Sequence, residues 1–377
     1  MRILVRSTQS LTELFLAFPF FVRLRDLFPG AKIDVAAPVH LQAAQFSGLV
    51  DEVFTFSQMS LDGVSWWQKI RALHESAAQL STSTYDLGFA LPSTLSSAYW
   101  LWRVGAKRRV GWAGDGRAAF LTDSLRDEAK ESRHRSAHYL RLLAPFEKKD
   151  GAISSESFWP SLAENPLDRS ASGYRTSFDP NKVWRENQGG AQPWSLGLPL
   201  KPGGYVVVAP WAEYETQCWP ALQVRELMRR VLDETSLDVV IVGEPRDISR
   251  SRDVLSGWSD RVYDAVSKGN LSSYAPLFGS AAWVLSMDSA WAHLAAGVSG
   301  FVQVIWGGAD PARMRPIGPA KIQLAVQPTE CWPCERTICI RQSGEQLACL
   351  RETSVDVVWG EIQRGVEYSR ARASALL

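Results

Sequence analysis

"AAWVLSMDSAWAHLAAG", Ala281–Gly297, is the stretch on which the fold turns. Its opening is a short apolar run ending at Met287, the length and composition of a strand buried on both faces. Asp288 and Ser289 follow, residue types that start helices, and Ala290, Ala292, Ala295 and Ala296 suit a helix packed close to what lies beneath it. A second apolar run, "FVQVIWG" (Phe301–Gly307), comes after that helix. Strand, helix and strand in this order form a βαβ unit, whose two strands must be parallel.

The same alternation extends in both directions. Upstream lie "YVVVAP" (Tyr205–Pro210), a predicted helix near Ala221–Glu234, "LDVVIVG" (Leu237–Gly243) and a helix near Arg246–Leu255. The first half opens with "RILVRS" (Arg2–Ser7), a helix over about Glu13–Phe28 and "KIDVAAP" (Lys32–Pro38). It continues with strands in "YDLGFALP" (Tyr85–Pro92) and "KRRVGW" (Lys107–Trp112), with "SSAYWLWRVG" as the helix between them. Phe178–Gly204 is rich in Gly, Pro and Asn without periodicity, the composition of a linker. A chain of 377 residues exceeds the roughly 250–300 that one core supports. The expected division is an α/β domain over 1–180, a linker over 181–204, a second α/β domain over 205–353, and a closing helix and tail over 354–377.

With 41 Lys and Arg against 40 Asp and Glu, no overall field favours nucleic acid as a partner. The apolar run Leu14–Val22 falls far short of the ~20 residues that span a bilayer, and the strand-like "RILV" before it argues against a signal peptide. A cytoplasmic protein is expected.

In open parallel sheets ligands bind beyond the carboxyl ends of the strands. The junction after Met287 is such an end, and the backbone N–H groups of the first helical turn there can receive an anion. Ser289 and His293, four apart, share a helical face above it. The plainer reading is that Asp288 caps the helix and His293 belongs to the core.

Several segments in order shift this balance. Asp288, Ser289 and His293 resemble the Asp-Thr/Ser-Gly-x-x-His-x-Ala-Ala motif of glycosyltransferase family 9, the ADP-heptose:lipopolysaccharide heptosyltransferases, with Ala290 in place of the glycine. The opening 38 residues, the segment Leu91–Asp123 with its Arg-x-Gly-Trp, and "DVVIVGEPRD" resemble that family too, the second of these segments most like the second heptosyltransferase of the pathway. The resemblance implies a GT-B architecture of two facing Rossmann-like domains, the first binding the acceptor and the second an ADP-sugar. It implies inverting, metal-independent transfer of heptose from ADP-heptose to a hydroxyl of the lipopolysaccharide inner core, and an acidic, lipid-linked acceptor met at the inner face of the inner membrane. It also implies site residues. Glu13 stands where the family has its proposed catalytic aspartate, after Thr12 in place of a glycine; Gln217 stands where a donor-binding lysine is expected; Asp247 matches an acid that contacts the nucleoside; and Asp288, Ser289, Ala290 and His293 hold the donor phosphates.

Two of these are departures with chemical consequences. Glutamate at 13 keeps a carboxylate but moves it by one methylene, and its plain alternative is a first-turn acid favoured by the helix dipole. Glutamine at 217 replaces a full charge with a neutral donor, a difference of roughly 1–2 kcal/mol in binding a diphosphate. Arg313 and Arg315 are the nearby cations that can substitute. These departures keep two other readings open: a catalytically impaired family member that serves as a nucleotide-binding or assembly partner, and a transferase for another nucleotide sugar.

Cys331, Cys334, Cys339 and Cys349 are spaced C-x2-C-x4-C-x9-C, a set that suits a structural zinc or iron ion, reduced thiols or disulfides, with no part in catalysis. Finally, the basic clusters Arg103–Arg109 and Lys130–His138 read first as solvated surface, and alternatively as attraction for an acidic acceptor.

Overall fold

The computed structural model describes residues 1–38, 49–56, 65–80, 83–126, 134–147, 196–258, 260–318, 320–341 and 344–374. The chain falls into two compact units, Met1–Phe178 and Asp179–Leu377. Their boundary lies outside the described residues, as does the linker expected over 181–204 as far as residue 195.

The first unit holds β1 (Arg2–Arg6), β2 (Lys32–Pro38), β3 (Glu52–Phe56), β4 (Leu87–Ala90), β5 (Arg108–Trp112) and β6 (Asp123–Leu125), in the order β3-β2-β1-β4-β5-β6. The second holds β7 (Tyr205–Ala209), β8 (Asp238–Ile241), β9 (Val262–Asp264), β10 (Val284–Met287), β11 (Phe301–Trp306) and β12 (Lys321–Val326), in the order β9-β8-β7-β10-β11-β12. Both sheets therefore have one plan, and all their pairings are parallel. In each, the chain reverses its direction of travel across the sheet between the first and fourth strands, the place where doubly wound sheets open a crevice.

Burial separates the central strands from the edges. β7 and β11 are buried along their whole length, which is why their sequences are continuous apolar runs. The edge strands β3 and β9 are half-buried throughout. Trp100, Trp112 and Trp306 are wholly buried, so these tryptophans belong to the cores.

In the first unit the helices are α1 (Leu11–Leu27), α2 (Trp66–Ala78), α3 (Leu95–Val104) and α4 (Arg135–Leu140). Ser10 caps α1 by accepting from the Glu13 N–H, and Thr94 caps α3 by accepting from that of Ser97, each oxygen satisfying a donor the helix cannot pair itself. In the second unit they are α5 (Ala221–Glu234), α6 (Ile248–Leu255), α7 (Leu271–Gly279), α8 (Ala290–Val298) and α9 (Val355–Ser374), with short turns between. The closing helix α9 lies on β11, where a Cβ on Gly365 would stand 2.1 Å from the Phe301 ring. Two bonds pin the same helix: Trp359 Nε1 donates to Glu234 and the buried Gln303 donates to Glu361. Among the described residues, no helix is long and apolar enough to cross a membrane.

Replacing Gly365 by Ala drives a methyl into that ring, and overpacking of this kind costs about 1–3 kcal/mol. The expected outcome is a thermal midpoint lowered by several degrees. The same substitution at Gly297, where an added Cβ meets nothing within 4 Å, leaves it nearly unchanged.

Candidate active site

In the second unit the site forms where the loops after β7, β10 and β11 meet. The turn Glu215–Gln217 follows β7, and three contacts fix it. The Thr216 carbonyl accepts from the Gly308 N–H at 3.0 Å, the Thr216 hydroxyl donates to the Arg336 carbonyl, and the Trp219 N–H reaches the Met287 sulfur at 3.3 Å at the end of β10. The approach of Gly307 is closer still, since a Cβ there would lie 2.0 Å from the Thr216 oxygen. Only glycine permits that loop to pass. The result is that Gln217 Nε2 donates to Asp288 Oδ2 at 2.7 Å across 71 residues of sequence.

Asp288 is 4% exposed, and burial, opposed only in part by the Gln217 hydrogen bond, pushes its pKa up to about 6. It does not cap α8. Ser289 is the residue at the cap position, its side chain makes no capping bond, and its hydroxyl lies 3.3 Å from that of Ser286. Ala290 and His293 are both buried on α8, which is enclosed on nearly every face. Trp291 packs between Tyr274 and Phe278 of α7, and the Ala320 N–H bonds the Ala296 carbonyl.

The model of glycosyltransferase family 9 (heptosyltransferase) matches residues 73–343, well over half of the chain and inclusive of this whole arrangement. The chain belongs to that family. It is a glycosyltransferase by that membership. Among curated proteins no sequence match is found. Solved structures share the fold. Escherichia coli ADP-heptose lps heptosyltransferase II gives a TM-score of 0.72 at 18% identity, over 98% of this chain and 100% of that one. The glycosyl transferase family 9 protein from Veillonella parvula DSM 2008 gives 0.74 at 17%, over 97% of each. E. coli heptosyltransferase WaaC with ADP gives 0.68 at 17%, over 97% and 100%.

The other expected residues of this family 9 chain are placed as follows. Asp247, 2% exposed, opens the helical segment after β8. One of its oxygens accepts from the Glu244 N–H at 2.8 Å, and the other pairs with Arg250 at 2.6 Å, so both of its oxygens are engaged locally. Arg313 pairs with Glu335; burial lowers the pKa of Arg315, which follows in the same segment.

Glu13 lies in the first unit, at the third position of α1, ahead of the matched segment. Its backbone N–H is taken by Ser10, but its carboxylate does not return to the cap. Oε1 instead accepts from Arg135 Nη2 at 3.0 Å, 122 residues away at the start of α4. Arg135 also lies over the Tyr139 ring, whose phenol is pushed up chiefly by burial and further by the Glu13 charge. Arg135 is a partner that no local pattern revealed. Within the basic clusters, Arg108 forks onto Asp123, Lys107 pairs with Asp86, Arg109 donates to carbonyls of its own neighbourhood, and His138 stacks on Trp112 at 4.0 Å. Residues 130–133 lie outside the described residues.

All five cysteines are free thiols. Burial, then the charges of Cys334, Cys331 and Cys339, raise the pKa of Cys349, so these sulfurs share a neighbourhood. Among the described residues, no group of three or more His, Cys, Asp or Glu side chains is arranged to hold a metal ion. The observed contacts of this loop are structural, with Trp332 Nε1 donating to the Gly307 carbonyl and the Glu335 N–H to that of Gly308.

Because the folded-state pKa of Asp288 lies above its ordinary 3.8, the protonated form favours folding at low pH, and that advantage is lost as pH rises through about 6. Two pKa units correspond to about 3 kcal/mol. Asp288→Asn is therefore expected to raise the melting midpoint over the parent at pH 8 and leave it unchanged near pH ~3, below both pKa values. Gln217→Lys supplies a counter-charge and should remove this pH dependence in the parent. Melting curves of the three proteins across that range check both.

Proposed function

We propose that this chain transfers heptose from ADP-heptose to a hydroxyl of a lipopolysaccharide inner core or related bacterial glycan, with inversion and without a catalytic metal. The observation that carries the reading is the convergence of Gln217 and Asp288, far apart in sequence, at the carboxyl ends of β7 and β10. Donor-site residues assigned from sequence stand in contact at the place where a doubly wound sheet binds its ligand.

In this reading the second unit takes the donor. The diphosphate lies at the first turn of α8, where N–H groups at Ser289 and Ala290 face it, with His293 one turn further and Asp247 toward the nucleoside. The first unit takes the acceptor. Its hydroxyl oxygen attacks the anomeric carbon as the bond to the diphosphate breaks, and the proton passes to Glu13. Arg135 holds Oε1, which leaves Oε2 as the oxygen that accepts it. A carboxylate serving only as a helix cap would turn back to its own N-terminus; this one is held outward by a distant arginine. The reaction then belongs in the cytoplasm, at the inner face of the inner membrane, where an acidic lipid-linked acceptor is presented.

A second reading has one observation in its favour. The Gln217 amide is occupied by Asp288, a carboxylate that would repel a diphosphate once ionised. A family member of this kind can bind nucleotide and fail to turn over.

Incubation with ADP-heptose and an inner-core acceptor, read as ADP release, tests the first reading. Glu13→Gln is expected to lower kcat by about 100-fold or more while ADP affinity holds, the size typical of removing a general base. Undiminished turnover in that variant removes Glu13 from the mechanism. Calorimetry showing ADP binding by the parent with no transfer, and transfer gained in Gln217→Lys, would establish the second reading instead.

A further inference from the structure

β1 carries an arginine at each end, and the two are treated differently. Arg2, at the amino end, meets the buried Asp34 at 2.6 Å and donates to Ser83. Arg6, at the carboxyl end, is 9% exposed, and its Nη1 is buried with no hydrogen-bond partner. Its guanidinium lies 3.7 Å from the centre of the Phe56 ring and 4.9 Å from that of Trp100. Aromatic faces hold the plane of the cation but leave its N–H fork unused. Burial alone acts on its pKa, lowering it to about 9, with no carboxylate to oppose the fall, so the group is still charged at neutral pH.

Its surroundings add positive potential. The Arg6 carbonyl accepts from the Leu91 N–H, and three residues later Thr94 caps the ten-residue α3, whose amino end carries the positive pole of its dipole. Arg117, 7% exposed, clamps the same loop by donating to the Ser93 and Ala113 carbonyls. The acid near it, Asp115, is 3.8 Å away and 88% exposed. Ser7 Oγ, the next side chain after Arg6, is likewise buried without a partner. A buried cation with an unsatisfied N–H and a buried unsatisfied hydroxyl on the next residue is unfavourable unless an anion joins them, and the position is the β1/β4 reversal of the sheet.

We propose that Arg6 is the anchor of an oxyanion site in the first unit, receiving a carboxylate or phosphate monoester carried by the molecule that unit binds. This rests on the reading above that the first unit takes an acidic acceptor, and it makes one group of that acceptor specific. The planar fork of arginine suits either oxyanion in a two-bond grip.

The test uses the whole chain and no glycosyl transfer. Melting midpoints are measured for the parent, Arg6→Met and Arg6→Lys against glucose 6-phosphate, glucuronate and inorganic phosphate, with chloride at matched ionic strength as the blank. The parent is expected to show a saturable rise with glucose 6-phosphate, glucuronate or both. In Arg6→Met, half-saturation should move at least tenfold higher or the rise vanish, with Arg6→Lys between them. The stronger of the two sugar arms tells phosphate from carboxylate, and a rise with inorganic phosphate alone, an adventitious ion only, overturns the site as an acceptor anchor. An equal rise in Arg6→Met, or none in the parent, overturns it as well. Should Arg6→Met not fold, parent crystals soaked in selenate decide: anomalous density within hydrogen-bond distance of the Arg6 guanidinium supports the site, and density elsewhere or none overturns it. Failure of heptose transfer would leave these results untouched, so the two proposals fail separately.

Discussion

The passage of Gly307 beneath the Thr216 carbonyl is the constraint on which the second unit's chemistry depends. No side chain fits between them, because a Cβ would lie 2.0 Å from the oxygen. The loops after β7 and β11 can therefore close to hydrogen-bonding distance, and Gly308 completes the join. Thr216 is thereby fixed, and Gln217, the next residue, has one direction in which to extend. The cysteine-rich loop belongs to this same join through Trp332 and Glu335. Its place in the molecule is that of a brace beneath the site.

What the brace positions is electrostatically unusual. A carboxylate buried next to a helix amino end gains from the dipole, yet Asp288 has a neutral amide as its hydrogen-bond partner and sits out of water. Burial outweighs the single hydrogen bond, and the pKa moves to about 6. A lysine at 217 would reverse that balance by giving the carboxylate a counter-charge and presenting a cation to any diphosphate. Glutamine gives neither, so near neutral pH the site's own ionisation decides how much negative charge an arriving anion meets.

The sequence made the central strands plain because a strand covered on both faces must be mostly apolar along its middle, as in β1, β7, β10 and β11. The edge strands β3, β9 and β12 escaped it. They are short or half-exposed, and a mixed pattern such as "EVFTF" has no signal apart from its surroundings. The donor-side motif was legible as a junction, but the role of Asp288 was not, since a cap and a buried partner of Gln217 look identical in one dimension. The Glu13–Arg135 pair lay beyond reach for the same reason, its partners being 122 residues apart. Cysteine spacing leaves the choice open, because it permits a tetrahedral site without requiring one.

The shared strand order of the two units gives a last step. Each sheet reverses between its first and fourth strands, and each places a buried ionisable residue at that reversal: Arg6 ends β1, and Asp288 follows β10. The signs are opposite, although both residues neighbour a helix amino end that by itself favours anions. In the first unit the buried charge is positive, which is the basis of the proposed oxyanion site. In the second it is negative once ionised, so under the proposed function an anion is received best when Asp288 holds its proton. One fold is thus used twice with a buried ionisable residue at each reversal, after the first strand in one sheet and after the fourth in the other, and the two proposed anion sites differ in the sign of that residue.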